Sequence, residues 1–311
     1  MPRIANGLLF IISLSIGTAW VLPIIAQAEV CQELRQLIDG AAGVKYKEDR
    51  SFVDYMTGYG KRYVSDVIRL NGNSRMLELG PGVGEAVSDY MIHIPLEKQP
   101  KYLPGELSYF GEVIHQLQAR PFQDRARVLA IGYHAPRKPA ETLLNSGRLQ
   151  FWDDEFLENV PLEKMINAFG SPKKYDIAQD FFGPLAYGEN PAENLFKVMN
   201  ALEDGAPLYM TVGYEQLAGN LRRHTVRVGG RTISFVDWIR GLPGFQVETV
   251  MGEIYIRGTN VPVENLRITK RPGVSLGVPP KMRILPGSKI EAVDANGRPI
   301  RPPIRHFEIL P

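Results

Sequence analysis

Several things are scarce in this 311-residue chain, and each scarcity removes a class of explanation. Cys31 is the one cysteine, so no internal disulfide staples the fold, and no Cys/His spacing suggests a structural zinc site; no metal is expected. Positive and negative side chains nearly balance, leaving a formal net charge of +2. That is too little for the broad basic field that gathers nucleic acid, and no nucleic-acid partner is expected. No Gly-Lys-Ser/Thr follows the main glycine cluster, which excludes a phosphate-binding P-loop. Apolar residues at 44% and charged residues at 23% are ordinary for a globular chain. The length allows about two average domains, or one α/β domain with extensions.

The chain is organised around Arg75 to Ala86. Met76, Leu77 and Leu79 form a short apolar run, ended by glycines at alternate positions, Gly80, Gly82 and Gly84. A helix-compatible stretch follows from Glu85, so the pattern predicts a buried strand, a tight turn and a helix start. Glycines there allow positive φ and let a ligand lie against the backbone. A dinucleotide fingerprint needs Gly or Ala three residues after Gly82, but Glu85 stands there and Ala86 comes one position late.

Glu78-Leu79-Gly80-Pro81-Gly82-Val83-Gly84 instead resembles motif I of the class I S-adenosylmethionine-dependent methyltransferases. The resemblance implies an α/β fold, a Rossmann-like seven-stranded, mostly parallel sheet with an antiparallel final strand and helices on both faces. It implies S-adenosylmethionine as cofactor, with Gly80, Gly82 and Gly84 against its methionine part and Glu78 helping to hold its amino group through the loop.

The N-terminus reads as an address. Arg3 precedes an apolar stretch from Leu8 to Ile25, Pro23 breaks it, and Ala26-Gln27-Ala28 is a small-x-small cleavage site. A signal peptide over residues 1–28 is expected, and with it export to a periplasm or to the outside. An uncleaved anchor through residues 8–25, tethering the protein to an inner membrane, is the alternative. Residues 29–70 repeat apolar side chains at helical spacing, punctuated at Gly58 to Gly60. The resemblance makes this segment a lid on the cofactor site, with Tyr46, Tyr59 or Tyr63 able to line it.

Down the chain, an extra helix over 107–117 interrupts the expected pattern before a second strand at Arg127 to Tyr133. In the resembled family that strand ends in an acid that holds the ribose hydroxyls. Here it ends Ile131-Gly132-Tyr133-His134. His134 or Tyr133 could make a neutral contact instead, or Glu106 or Glu112 could reach in. A third strand, Arg148 to Trp152, ends at Asp153 and Asp154, and by resemblance Asp153, with Leu157 four residues on, meets the adenine amino group; Asp154 could take that role. Tyr175 to Ala178 is a fourth strand, and Asp180 at its end is the candidate catalytic carboxylate. A fifth strand, Leu208 to Val212, leads to a basic loop from Tyr214 to Ile233 with Arg222, Arg223, Arg227 and Arg231, where His224 is a possible base. That loop could meet an anionic substrate or a lipid head group.

Gly244 to Val250 and Glu253 to Arg257 are too close in sequence for a parallel crossover and must pair antiparallel. A methyltransferase-like domain over 71–259 is thus expected, followed by a Pro/Arg-rich extension over 260–311. Its Asn296-Gly297 signals a hairpin turn, giving a small proline-rich β appendage. The expected activity is methyl transfer to a small-molecule oxygen, carbon or nitrogen. The rival expectation is a non-catalytic, exported or membrane-tethered binding protein on the same fold.

Overall fold

The computed structural model describes residues 50–92, 106–132, 135–153, 155–181, 183–188, 190–213, 221–256, 259–286, 288 and 304–310. The N-terminal apolar stretch, Tyr46, Tyr133, His134, Asp154 and Asn296-Gly297 lie outside the described residues. All described residues belong to one unit, residues 47–289 and 303–311. Among them no helix is long and apolar enough to cross a membrane.

Helix α1 (Phe52–Ile68) opens the described fold; Ser51 and Asp54 cap it reciprocally, and Gly60, at φ 74°, breaks it midway. Then come β1 (Arg75–Leu79), α2 (Glu85–Met91), the inserted α3 (Glu106–Ala119), β2 (Arg127–Ile131), α4 (Ala140–Leu144) and β3 (Leu149–Trp152). They are followed by α5 (Leu162–Ile166), β4 (Ile177–Asp180), α6 (Pro184–Tyr187), α7 (Pro191–Ala201) and β5 (Pro207–Gly213). A hairpin β6 (Thr225–Val228) and β7 (Arg231–Ser234), helix α8 (Phe235–Arg240), and the long strands β8 (Phe245–Ile256) and β9 (Thr259–Lys270) complete the main body. Short strands β10 (Met282–Ile284) and β11 (His306–Ile309) come last.

Seven strands form one sheet in the order β3-β2-β1-β4-β5-β9-β8. The neighbours from β3 to β5 are parallel, and β9 runs antiparallel to both β5 and β8. Side chains alternate between two apolar layers, which is why these strands read as continuous apolar runs. Leu77, Leu79, Leu129 and Ile131 enter the layer that α7 and α8 cover. Met76, Val128, Ala130 and Ile177 enter the layer under α1, α2 and α3. Helices thus cover both faces, as expected.

Three boundaries differ from expectation. The two strands expected at 244–250 and 253–257 are one strand, β8, and its antiparallel partner is β9. Residues 259–270 therefore belong to the main sheet, not to an extension beginning after 259. Of the basic stretch expected as a loop, residues 225–233 fold into the β6–β7 hairpin, turning on Gly229 and Gly230, both at positive φ. That hairpin joins β10 and β11 in a second sheet of order β10-β11-β6-β7, so the appendage takes half its strands from the middle of the chain.

Helix α1 lies close on the sheet because glycines let it. A Cβ on Gly252 of β8 would stand 1.9 Å from the Gly58 carbonyl oxygen, and one on Gly58 would stand 2.7 Å from the Phe181 ring. The Asn265 side-chain amide, from β9, donates to the Gly58 carbonyl at 2.7 Å.

Candidate active site at the carboxyl edge of the sheet

The strand order reverses at β1: the chain moves outward through β2 and β3, then returns to place β4 on the other side. In open α/β sheets ligands bind in the crevice outside the carboxyl ends of the strands at such a point. The turn that follows β1 here is the three-glycine one. Gly80, Gly82 and Gly84 have φ of 68°, 57° and 83°, a region in which only glycine is free of Cβ strain.

Neighbouring strand ends hold this turn on both sides. The Gly80 N–H donates to the Ile131 carbonyl (2.9 Å), and the Gly132 N–H donates to the Trp152 carbonyl (3.0 Å). A Cβ on Gly80 would lie 2.7 Å from Gly183 Cα, and one on Gly132 would lie 2.6 Å from Pro81 Cδ. One on Gly84 would lie 2.9 Å from the Phe151 ring. The glycines at 80 and 84 therefore serve close packing of the turn as well as any ligand. The Arg137 N–H, from the β2–β3 connection, reaches the Val83 carbonyl at 3.0 Å and fixes the far side.

Glu78 sits one step back from the turn, on the face under α1, and is fully buried. A buried carboxyl needs donors, and here it has two. The Tyr55 hydroxyl donates to Oε1 at 2.7 Å, and the Gln179 amide donates to Oε2. The Tyr63 hydroxyl in turn donates to Gln179 Oε1, so three elements share one hydrogen-bonded chain. The strand register puts Glu78, Gln179, Tyr209, Arg267 and Glu248 in one row across five strands. Asp66 of α1 closes the far end by accepting from Tyr209 (2.7 Å) and Arg267 (3.1 Å). Burial pushes the Glu78 carboxyl up to about 8, against the pull of its hydrogen bonds from Tyr55 and Gln179.

Asp180 ends β4 beside Leu79 and is buried. Its two oxygens accept from the backbone N–H groups of Gly183 and Leu185, the latter at 2.8 Å, so the side chain shapes the start of α6. Burial pushes its carboxyl up to about 7, although those two N–H groups draw it down. Asp153 follows β3 and is exposed at the same edge.

The structure therefore gathers Glu78, Gly80, Gly82, Gly84, Asp153 and Asp180 along one edge. It does not bring His224 to an exposed loop. That residue is buried before β6 in the second sheet, its ring 6.3 Å from that of Phe307. Burial, then the charges of Arg305, His306 and Arg223, lower its imidazole to about 4, which makes it a poor base at neutral pH. The basic segment is also less available than expected, since Arg222 makes two 2.6 Å bonds to Glu264 and Arg227 lies 3.6 Å from Glu308. Tyr59 and Tyr63 line no open site; both are fully buried core between α1 and the sheet. Glu112 is exposed on α3, and the side chain of Glu106 lies outside the description.

Sequence reasoning missed Tyr55 and Gln179 as parts of this site. A signal for the first was present: an acid on an interior strand calls for a buried donor, and Tyr55, Tyr59 and Tyr63 recur every four residues on one helix face.

No family model and no curated protein matches the chain. Solved structures do. A Klebsiella pneumoniae protein assigned as an O-methyltransferase is 12% identical, with 76% of this chain and 89% of that one covered and a TM-score of 0.38. The Bacillus cereus O-methyltransferase in complex with SAH is 10% identical, with 76% and 90% covered and a TM-score of 0.37. An rRNA methylase from Streptococcus thermophilus is 11% identical, with 68% and 93% covered and a TM-score of 0.33. The fold described here rests on the strand order and register above.

Proposed function

We propose that this protein binds S-adenosylmethionine at the carboxyl edge of β1 to β4 and transfers its methyl group to an acceptor. The observation that carries this is the position of the three-glycine turn at the point where the strand order reverses, in a sheet whose antiparallel β9 lies between β5 and β8. That combination is what the motif resemblance implies. The residues fit such a ligand at its two ends. The turn offers backbone without side chains to the amino-acid end, and Asp153 offers an exposed carboxylate to the adenine amino group. At the ribose they offer less, because Gly132 follows the last residue of β2, Ile131, where the family pattern has an acid.

When bound, the cofactor supplies an electrophilic methyl group. The chain's part is to align an acceptor with it and to exclude water. Asp180, poised by burial near neutrality, takes the acceptor's proton where one must leave. A small-molecule acceptor and an exported location, cleaved or anchored at the N-terminus, belong to the same proposal; sequencing the mature N-terminus tests the location.

The engagement of both Asp180 oxygens by backbone N–H groups favours a second reading, a binding protein without catalysis. One experiment bears on both. Calorimetric titration with S-adenosylmethionine and S-adenosylhomocysteine is expected to give micromolar binding, abolished in a folded Gly82→Val variant because valine is strained at φ 57°. Binding followed by no methyl transfer across an acceptor screen would favour the scaffold. No binding by the folded wild-type protein would end the adenosyl reading.

A further inference from the structure

The C-terminal strands are far from the glycine turn in sequence, yet one side chain among them reaches the wall of the candidate site. Arg305, immediately before β11, is buried, and its Nη1 donates to the Gly188 carbonyl at 2.8 Å. Its own carbonyl accepts from the Thr225 N–H at 3.1 Å, at the start of β6. Arg305 therefore ties the second sheet to the segment that follows β4.

Gly188 caps the end of α6, a single helical turn. So short a helix has little stability of its own, and what fixes its two ends decides where it lies. At its start, Asp180 accepts from the N–H groups of Gly183 and Leu185. At its end, the Gly188 N–H closes on the Pro184 carbonyl at 2.7 Å, and the Gly188 carbonyl goes to Arg305. That end is also packed from α7 and from the segment after β3: a Cβ on Gly188 would stand 2.4 Å from Glu158 Oε1 and 2.5 Å from Asn194 Nδ2. Helix α6 in turn bears on the glycine turn. A Cβ on Gly183 would stand 2.5 Å from the Leu79 carbonyl oxygen, and one on Gly80 would meet Gly183 Cα. In packing this close, a shift of α6 is felt at Leu79 and Gly80 and at the Asp180 carboxyl together.

Resting on the adenosyl reading above, we propose that Arg305 is a positioning residue of the candidate active site: from the second sheet it pins the far end of α6, and so keeps Gly183 seated against the glycine turn with its N–H on Asp180. Arg305 acts through α6 and not on the ligand itself. The second sheet is then a working part of the site.

A buried guanidinium on a carbonyl stabilises any fold, so stability alone does not test this. The test uses the full chain as wild type, Arg305→Met, Arg305→Lys and Arg75→Leu. Arg75 is the matched control, a buried arginine that also donates to backbone carbonyls, at the start of β1 instead of its carboxyl end. Two quantities are read on folded protein: calorimetric affinity for S-adenosylhomocysteine, and the titration midpoint of Asp180 from its carboxyl carbon resonance, identified by its loss in Asp180→Asn. Arg305→Met is expected to bind about tenfold more weakly. Its Asp180 midpoint should rise by about half a pH unit or more, because the N–H groups that favour the carboxylate loosen with α6. Arg305→Lys, which keeps a charge and a donor, is expected to recover part of both, and Arg75→Leu to match the wild type within about twofold with the midpoint unmoved. Either quantity left at its wild-type value in Arg305→Met overturns the inference, and so does an equal change of both in Arg75→Leu. If Arg305→Met does not fold, Arg305→Lys decides in its place, by moving both quantities in the same directions or by leaving either unmoved. These outcomes leave the adenosyl reading intact. No binding by the folded wild type overturns that reading, and the role of Arg305 with it.

Discussion

Replacing Glu78 by Gln should change how stability depends on pH more than it changes stability itself. The carboxyl is fully buried and its folded-state pKa is raised from 4.5 to about 8. The folded state therefore holds this proton more tightly than the unfolded chain does. Below about pH 4.5 both states are protonated and the contribution to stability is complete; as pH rises through about 8 it is lost. Each pH unit inside that window costs about 1.4 kcal/mol, so roughly 5 kcal/mol is at stake if Glu78 alone titrates. Asp180 falls in the same direction between 3.8 and about 7, and its charge raises Glu78 further. Subtracting the variant from the wild type removes most of the Asp180 contribution. Glutamine can accept from one neighbour and donate to the Tyr55 hydroxyl, so near pH 5 the variant should lie within about 1 kcal/mol of wild type. By pH 8.5 it should be the more stable protein by several kcal/mol. Urea unfolding at half-unit steps from pH 5 to 9 measures this. A wild-type-minus-variant difference that stays constant across the window would refute the buried-proton account of Glu78.

Other substitutions probe the remaining features. Tyr55→Phe removes the hydroxyl donor to Glu78 and should cost about 1–2 kcal/mol, while moving the alkaline loss of stability to higher pH, since a hydrogen bond that favoured the carboxylate is gone. Arg75 is buried and donates to the carbonyls of Ile166, Lys173 and Ser171, so Arg75→Leu should cost about 3 kcal/mol by urea midpoint. Gly252→Ala drives a methyl into the Gly58 carbonyl and should cost about 3 kcal/mol, with faster amide exchange in α1 than in β1. Arg222→Ala breaks an exposed pair with Glu264 and should change stability by less than about 1 kcal/mol.

Much of the sheet was legible because its strands are buried on both faces and so announce themselves as apolar runs: Met76 to Leu79, Val128 to Ile131 and Leu208 to Val212 all lie in strands. Strand β9 was not, for a physical reason. Its α1-facing side carries Asn265 and Arg267, polar groups whose partners, the Gly58 carbonyl and Asp66, are about two hundred residues away in sequence. Pro262 further lowers its strand character. The β6–β7 hairpin did carry a local signal in Gly229-Gly230, between Thr225 to Val228 and Arg231 to Ser234. Its arginines drew attention to charge instead. At the site, the glycine turn could be read from spacing alone. The environments of Glu78, Asp180 and His224 could not, because burial and hydrogen-bond partners are properties of the assembled layers.

The contact of Gly58 with Gly252, and the bond from Asn265 to the same carbonyl, set an order on folding. Helix α1 leaves the ribosome long before the strands that clasp it, and although β1 and β4 supply part of its seat, the close contact at Gly58 waits until β8 and β9 have been made. Pairings this distant are slow to close, because chain entropy is lost before contact energy is gained. The seat of α1 over Glu78 is thus completed by strands made well after Glu78 itself, so a change in β8 or β9 reaches a carboxyl more than a hundred residues earlier.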